Sequence, residues 1–78
     1  MGWRQAVTLA EARVGQTVQI GAFLRPEQEA EAIRLGLVPG AELTVLQKMT
    51  RGPVVVQSGV SQIAVGYHLA RRITVFPS

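Results

Sequence analysis

The chain has 78 residues, of which 47% are hydrophobic; eight are basic, five acidic and none is cysteine. A single domain of this size buries only about 60–65% of its unfolded surface, and without cysteine neither disulfides nor thiolate metal sites can brace it, so packing must. The absence of cysteine suits a reducing cytosol, and no apolar run approaches the ~20 residues that span a bilayer.

MGWRQAVTLAEARVG has neither the apolar core nor the small-residue cleavage site of a secretory signal, which predicts a soluble intracellular protein. Met1-Gly2 does not continue into a myristoylation motif, because Ala6 stands where Ser or Thr is needed. Thr8-Leu9-Ala10-Glu11 has the form of a capping box and predicts one helical turn, stopped at Gly15. From Gln16 to Leu24 the pattern is period two, which predicts a half-buried strand with Val18, Ile20, Ala22 and Leu24 on one face.

Pro26 suits a first helical position, and Glu27, Glu29 and Glu31 suit the positive end of a helix dipole. A short helix over Pro26 to Leu35 follows, with Ala30, Ile33 and Leu37 as its apolar stripe. Gly36 can take the left-handed conformation that ends it, and Leu37 can fold back on Ala32 or Ile33. Val38-Pro39-Gly40-Ala41 reads as a type II turn.

Glu42 to Met49 reads as a strand with Leu43 and Val45 inward, and Thr50-Arg51-Gly52-Pro53 as a loop. Val54 to Gln57, a turn at Ser58-Gly59, and Val60 to Val65 form a hairpin. One helical turn at Gly66 to Ala70 precedes a last strand over Arg72 to Phe76, with Ile73 and Val75 inward. Five short strands with tight connections are too thin for a sandwich, and closing them removes sticky edges. The fold expected over residues 1–78 is mainly β, a small SH3-like five-stranded barrel with one short α-helix between the first two strands and no second domain.

Chemistry is sparse. Asp is absent and His68 is the single histidine, so no nucleophile, base and orienter can be assembled; an enzyme is not expected. Glu27 and Glu31 lie one turn apart and with His68 offer a carboxylate and imidazole set, but the helix dipole already accounts for the glutamates, and no metal or cofactor is expected. Neither GLVPG nor RGPVVVQSG has a phosphate-loop pattern. Arg71-Arg72 reads as a solvated, edge-protecting pair before a strand. The net charge of +3 raises nucleic acid as a partner, but the basic residues are scattered from Arg4 to Arg72 and not interleaved with stacking aromatics, so none is expected.

Read as a set, LGLVPGAELTVL (35–46), GPVVVQSG (52–59) and IAVGYHLARRITV (63–75) resemble the FeoA family. Leu9, Gly15 and Ile20 supply the family's early strand, Leu35-Gly36-Leu37-Val38-Pro39-Gly40 its helix end, Gly52-Pro53-Val54 its loop, and Ile63-Ala64-Val65, Ala70, Ile73 and Val75 its last strands. Two departures concern charge: Gly66 stands where members often carry a basic residue, and Pro26 to Glu31 is acidic where that segment is often basic.

The resemblance implies a small cytosolic SH3-like accessory of the membrane ferrous-iron transporter FeoB, which carries a GTP-hydrolysing domain. On this reading the chain is cytoplasmic, peripheral to the inner membrane through its partner, and able to form homo-oligomers. Leu37, Val38 and Pro39, with Arg51, Gly52 and Pro53, are the expected partner-binding residues, because both connections expose apolar atoms on a rigid frame. The alternatives are a regulatory domain related to the C-terminal domain of iron-dependent repressors and a small nucleic-acid-binding barrel.

Overall fold

The computed structural model describes residues 6–23 and 25–77. The first five residues and Leu24, expected to point inward from the first strand, lie outside them. Six strands form one antiparallel sheet: β1 (Val7–Thr8), β2 (Thr17–Ile20), β3 (Glu42–Lys48), β4 (Val54–Ser58), β5 (Ser61–Val65) and β6 (Thr74–Pro77), in the spatial order β1-β6-β2-β3-β4-β5. A 3-10 turn, Leu9–Glu11, follows β1; helix α1 (Pro26–Arg34) joins β2 to β3; helix α2 (Tyr67–Ala70) joins β5 to β6. The sixth strand, absent from the expectation, is the two-residue β1, too short to show an alternation.

The sheet curls around one apolar core. Val18, Ile20, Leu43, Val45, Val54, Val56, Val65 and Val75 fill it from alternate strand positions, and no polar or charged residue is buried among the described residues. The 3-10 turn after β1 and helix α2 after β5 pack against each other, so the elements leading from the two edge strands help close the core. Leu9, Leu69 and Ala70 are the side chains these elements bury.

Three expected inward positions, Ala22, Ala30 and Ile33, are exposed. The first strand stops at Ile20 and leaves Ala22 exposed; the Gly21 N–H still donates in register to the Thr74 carbonyl at 2.8 Å, with the Phe76 ring over Gly21, and Ala22 lies past that bond. In α1, Ala30 and Ile33 are exposed and Ala32 is buried. The stripe of Ala30, Ile33 and Leu37 assumed that Leu37 keeps helical phase. It does not: Gly36, at φ 86°, has already left the helix. The Gly36 N–H donates to the Ile33 carbonyl and the Leu37 N–H to the Ala32 carbonyl, both at 2.9 Å, which is a Schellman motif.

The next reversal follows within three residues. The Ala41 N–H reaches the Val38 carbonyl at 3.0 Å with Gly40 at φ 88°, the expected type II turn. The Gly40 N–H donates to the Ile20 carbonyl and the Ile20 N–H to the Ala41 carbonyl, sewing the turn to β2. A register shift between Val45 and Gln47 kinks β3 against β4. The hairpin turn falls on Gly59-Val60, one residue later than expected, since Ser58 pairs with Ser61; Gly59 at φ 61° occupies the first central position, as a type II′ turn requires.

At the sheet's opposite edge, the Thr8 N–H and hydroxyl both donate to Glu11 Oε1, at 2.8 and 3.1 Å. These two bonds, the backbone one foremost, hold the Glu11 carboxyl below its ordinary pKa of 4.5. A depressed folded-state pKa stabilises the fold above the unfolded value, and that contribution is lost as pH falls through the folded one. Glu11→Gln should therefore lose less melting temperature than the parent on acidification below 4.5, measured by thermal unfolding at matched ionic strength.

Candidate functional site

The residues expected to meet a partner are not brought together. Leu37 is fully buried under the core and presents nothing to a partner, which removes it from the candidate surface. Its burial follows from the Schellman geometry, which turns the chain inward at this residue. Val38 is 42% exposed, and Pro39 is exposed beside it. Arg51, Gly52 and Pro53 lie at the other end of β3, whose seven residues at about 3.3 Å each separate the two loops by roughly 20 Å.

The β3–β4 loop is held by two backbone bonds, Gly52 N–H to the Met49 carbonyl at 2.9 Å and Met49 N–H to the Pro53 carbonyl at 3.3 Å. Arg51 takes φ 54°, the one non-glycine left-handed residue among those described, at a cost of about 1–2 kcal/mol. Gly52 is obligatory for a different reason: a Cβ there would stand 2.9 Å from the Met49 Cβ.

Around the Val38-Pro39 turn the surface is apolar. Ile33 is 48% and Leu35 39% exposed at the C-terminal end of α1, on either side of the buried Ala32, just before the turn. Thr44 pairs with Gln57, which puts the start of β3 and the end of β4 at the same end of the sheet, where the fully exposed Val60 forms the hairpin tip. The backbone beneath the turn is fixed by its bonds to Ile20, and the Gln19 side-chain amide adds one to the Gly40 carbonyl at 3.2 Å.

A second feature escaped sequence reading. Arg25 at the N-cap of α1 and Arg71 and Arg72 after α2 line one cleft of about 250 Å³, with Thr8, Gln28 and Thr74 completing its wall. Arg71 stands over the Tyr67 ring, 5.8 Å from its centroid, and Tyr67 meets His68 edge to face with ring centroids 6.0 Å apart. Only the fold brings Arg25 to the Arg71-Arg72 pair, nearly fifty positions along the chain. Among the described residues no group of three or more His, Cys, Asp or Glu converges, so Glu27, Glu31 and His68 do not assemble the set considered for a metal.

The FeoA domain model matches residues 7–77. The chain belongs to the FeoA family. A crystal structure described as an iron uptake regulatory protein (FeoA) is 28% identical, with a TM-score of 0.85 over 95% of this chain and 99% of that one. FeoA of Stenotrophomonas maltophilia, solved with zinc and described as a prokaryotic SH3 domain protein, is 24% identical, with a TM-score of 0.72 over 88% of each chain. A manganese-dependent transcriptional repressor is 20% identical with a TM-score of 0.83; it covers all of this chain, which spans 45% of the repressor, and shares the fold alone. No curated protein sequence matches the chain.

The SH3-like expectation thus agrees with the FeoA relatives. No helix of this FeoA-family chain is long and apolar enough to cross a membrane among the described residues.

Proposed function

We propose that this FeoA-family chain is a non-catalytic accessory of a membrane ferrous-iron transporter of the FeoB type, acting by protein contact with the transporter's cytoplasmic part. The family match over residues 7–77 carries the reading. The Stenotrophomonas relative is described as possibly a ferrous iron transport activating factor, which accords with such a role. The contact we assign is the aliphatic end of α1 and the turn after it: Ile33, Leu35, Val38 and Pro39. These side chains are exposed on a backbone that the Schellman motif and the Ile20 bonds hold rigid, so a partner can cover them with little loss of chain entropy. The distant Arg51-Gly52-Pro53 loop is assigned no share in that contact.

Val38→Glu puts a charge on this surface without touching the core. Its melting temperature should stay within about 4 °C of the parent, a surface effect of ~0.5 kcal/mol. Recovery of the transporter from solubilised host membranes by the tagged variant should fall at least about tenfold, which a buried charge at an interface readily causes. Undiminished recovery sinks the assignment of this surface, and failure of the parent chain to recover any GTP-binding transporter sinks the function.

A further inference from the structure

Three arginines, Arg25, Arg71 and Arg72, line one cleft where nothing in the core requires them. The cleft they line, about 250 Å³, contains no glutamate in its wall. The carboxylate next to that wall, Glu11, already accepts both the N–H and the hydroxyl of Thr8. Glu27 and Glu29, in the first turn of α1, are exposed and do not line it. Like charges collected in one concavity raise its potential and attract an anion.

No side chain caps the start of α1, because Arg25 holds the N-cap position and has no acceptor to offer. Glu27 and Glu29 in the first turn answer the helix dipole instead, and the Gln28 and Glu29 N–H groups already donate to the Arg25 carbonyl, so the attraction for an anion rests on the arginines. Gln28 lines the cleft too, but its Oε1 is buried and closed to it, and takes no part in the site.

We propose that this cleft binds a phosphoryl group, with Arg25, Arg71 and Arg72 on its anionic oxygens. One guanidinium suffices for a planar carboxylate, whereas three arriving from two elements match a tetrahedral oxyanion. Arg71 is already steadied by its contact with Tyr67. The volume equals about eight waters at ~30 Å³ each and falls short of the ~300–1,000 Å³ of pockets that enclose a whole small molecule. The cleft should therefore hold phosphate or pyrophosphate and leave any attached base or glycerol outside. The inference stands apart from the transporter reading, since the cleft shares no residue with the surface assigned to that partner.

Amide-resolved NMR of the full chain, titrated with inorganic phosphate and with pyrophosphate at constant ionic strength, tests it. Expected are saturable shifts at the amides of residues 25, 27, 28 and 71–74, tighter binding of pyrophosphate, and no added affinity from a nucleoside monophosphate over phosphate. Arg25→Gln combined with Arg72→Gln should weaken binding at least about tenfold, as charge-assisted bonds are lost, with amide shifts elsewhere unchanged. Flotation with phosphatidylglycerol vesicles but not phosphatidylcholine vesicles, dependent on the same arginines, identifies the source as a lipid headgroup; absence of flotation beside saturable phosphate binding identifies a free phosphate. The proposal is overturned if millimolar phosphate gives no saturable shift, if chloride gives the same shifts, or if a glutamate-rich peptide saturates these amides while phosphate does not.

Discussion

Leu37→Ala is expected to lower the melting temperature by at least about 10 °C, the largest loss of any single truncation in the connection between α1 and β3. The side chain is fully buried, and a Leu→Ala change in a core costs about 2–5 kcal/mol, depending on how far the surroundings collapse. Collapse is hindered here. The Leu37 N–H is tied to the Ala32 carbonyl and the turn that follows is tied to Ile20, so the backbone cannot follow the lost volume. A domain of 78 residues has roughly 4–12 kcal/mol of stability in all, and each kcal/mol is worth about 4–8 °C. Circular dichroism melts of Leu37→Ala and Val38→Glu, side by side, check both assignments; a Leu37→Ala protein that melts with the parent would mean that this residue is no part of the core.

That contrast between neighbours is what the sequence alone left unresolved. In LGLVPG both Leu37 and Val38 are apolar residues in a connection, and either could serve a core or a partner. The helix stop, the type II turn and the inward positions of β3 were all readable, because Gly36, Pro39-Gly40, Leu43 and Val45 carry local conformational preferences that tertiary packing only had to accept. The buried face of α1 was not readable. Its stripe was counted through Gly36 as if the helix continued, and once the chain leaves helical geometry the phase of Leu37 says nothing about Ala30 or Ile33.

The arginine cleft was hidden for another reason. Arg71-Arg72 beside a strand reads locally as a solvated pair, and Arg25 before Pro26 reads as the approach to a helix; their meeting depends on β6 lying between β1 and β2. No local pattern encodes that strand order. Ala22 is exposed although period two continues through Gly21 in the sequence: the Gly21 N–H still donates to the Thr74 carbonyl, and Ala22 lies past that bond.

Gly21→Val tests that seam and should cost about 1–3 kcal/mol, or a melting temperature lower by roughly 5–20 °C. A Cβ at Gly21 would stand 2.7 Å from a ring carbon of Phe76 and 3.3 Å from the Thr74 carbonyl oxygen. The first contact can be relieved by swinging the half-buried ring, at the expense of its packing. The second cannot, because the same carbonyl accepts the Gly21 N–H and fixes β6 against β2, where Gln19 faces Phe76 and Ile20 faces Val75. The two causes separate in a double-mutant cycle. If the ring is the main obstacle, Phe76→Ala in the Gly21→Val background should lose less than the sum of the single losses, by about 0.5–3 kcal/mol. Additive losses in chemical denaturation would instead place the cost on the Thr74 carbonyl and hence on the β2–β6 seam, the junction that holds β1, and with it Thr8 at the rim of the arginine cleft, to the rest of the sheet.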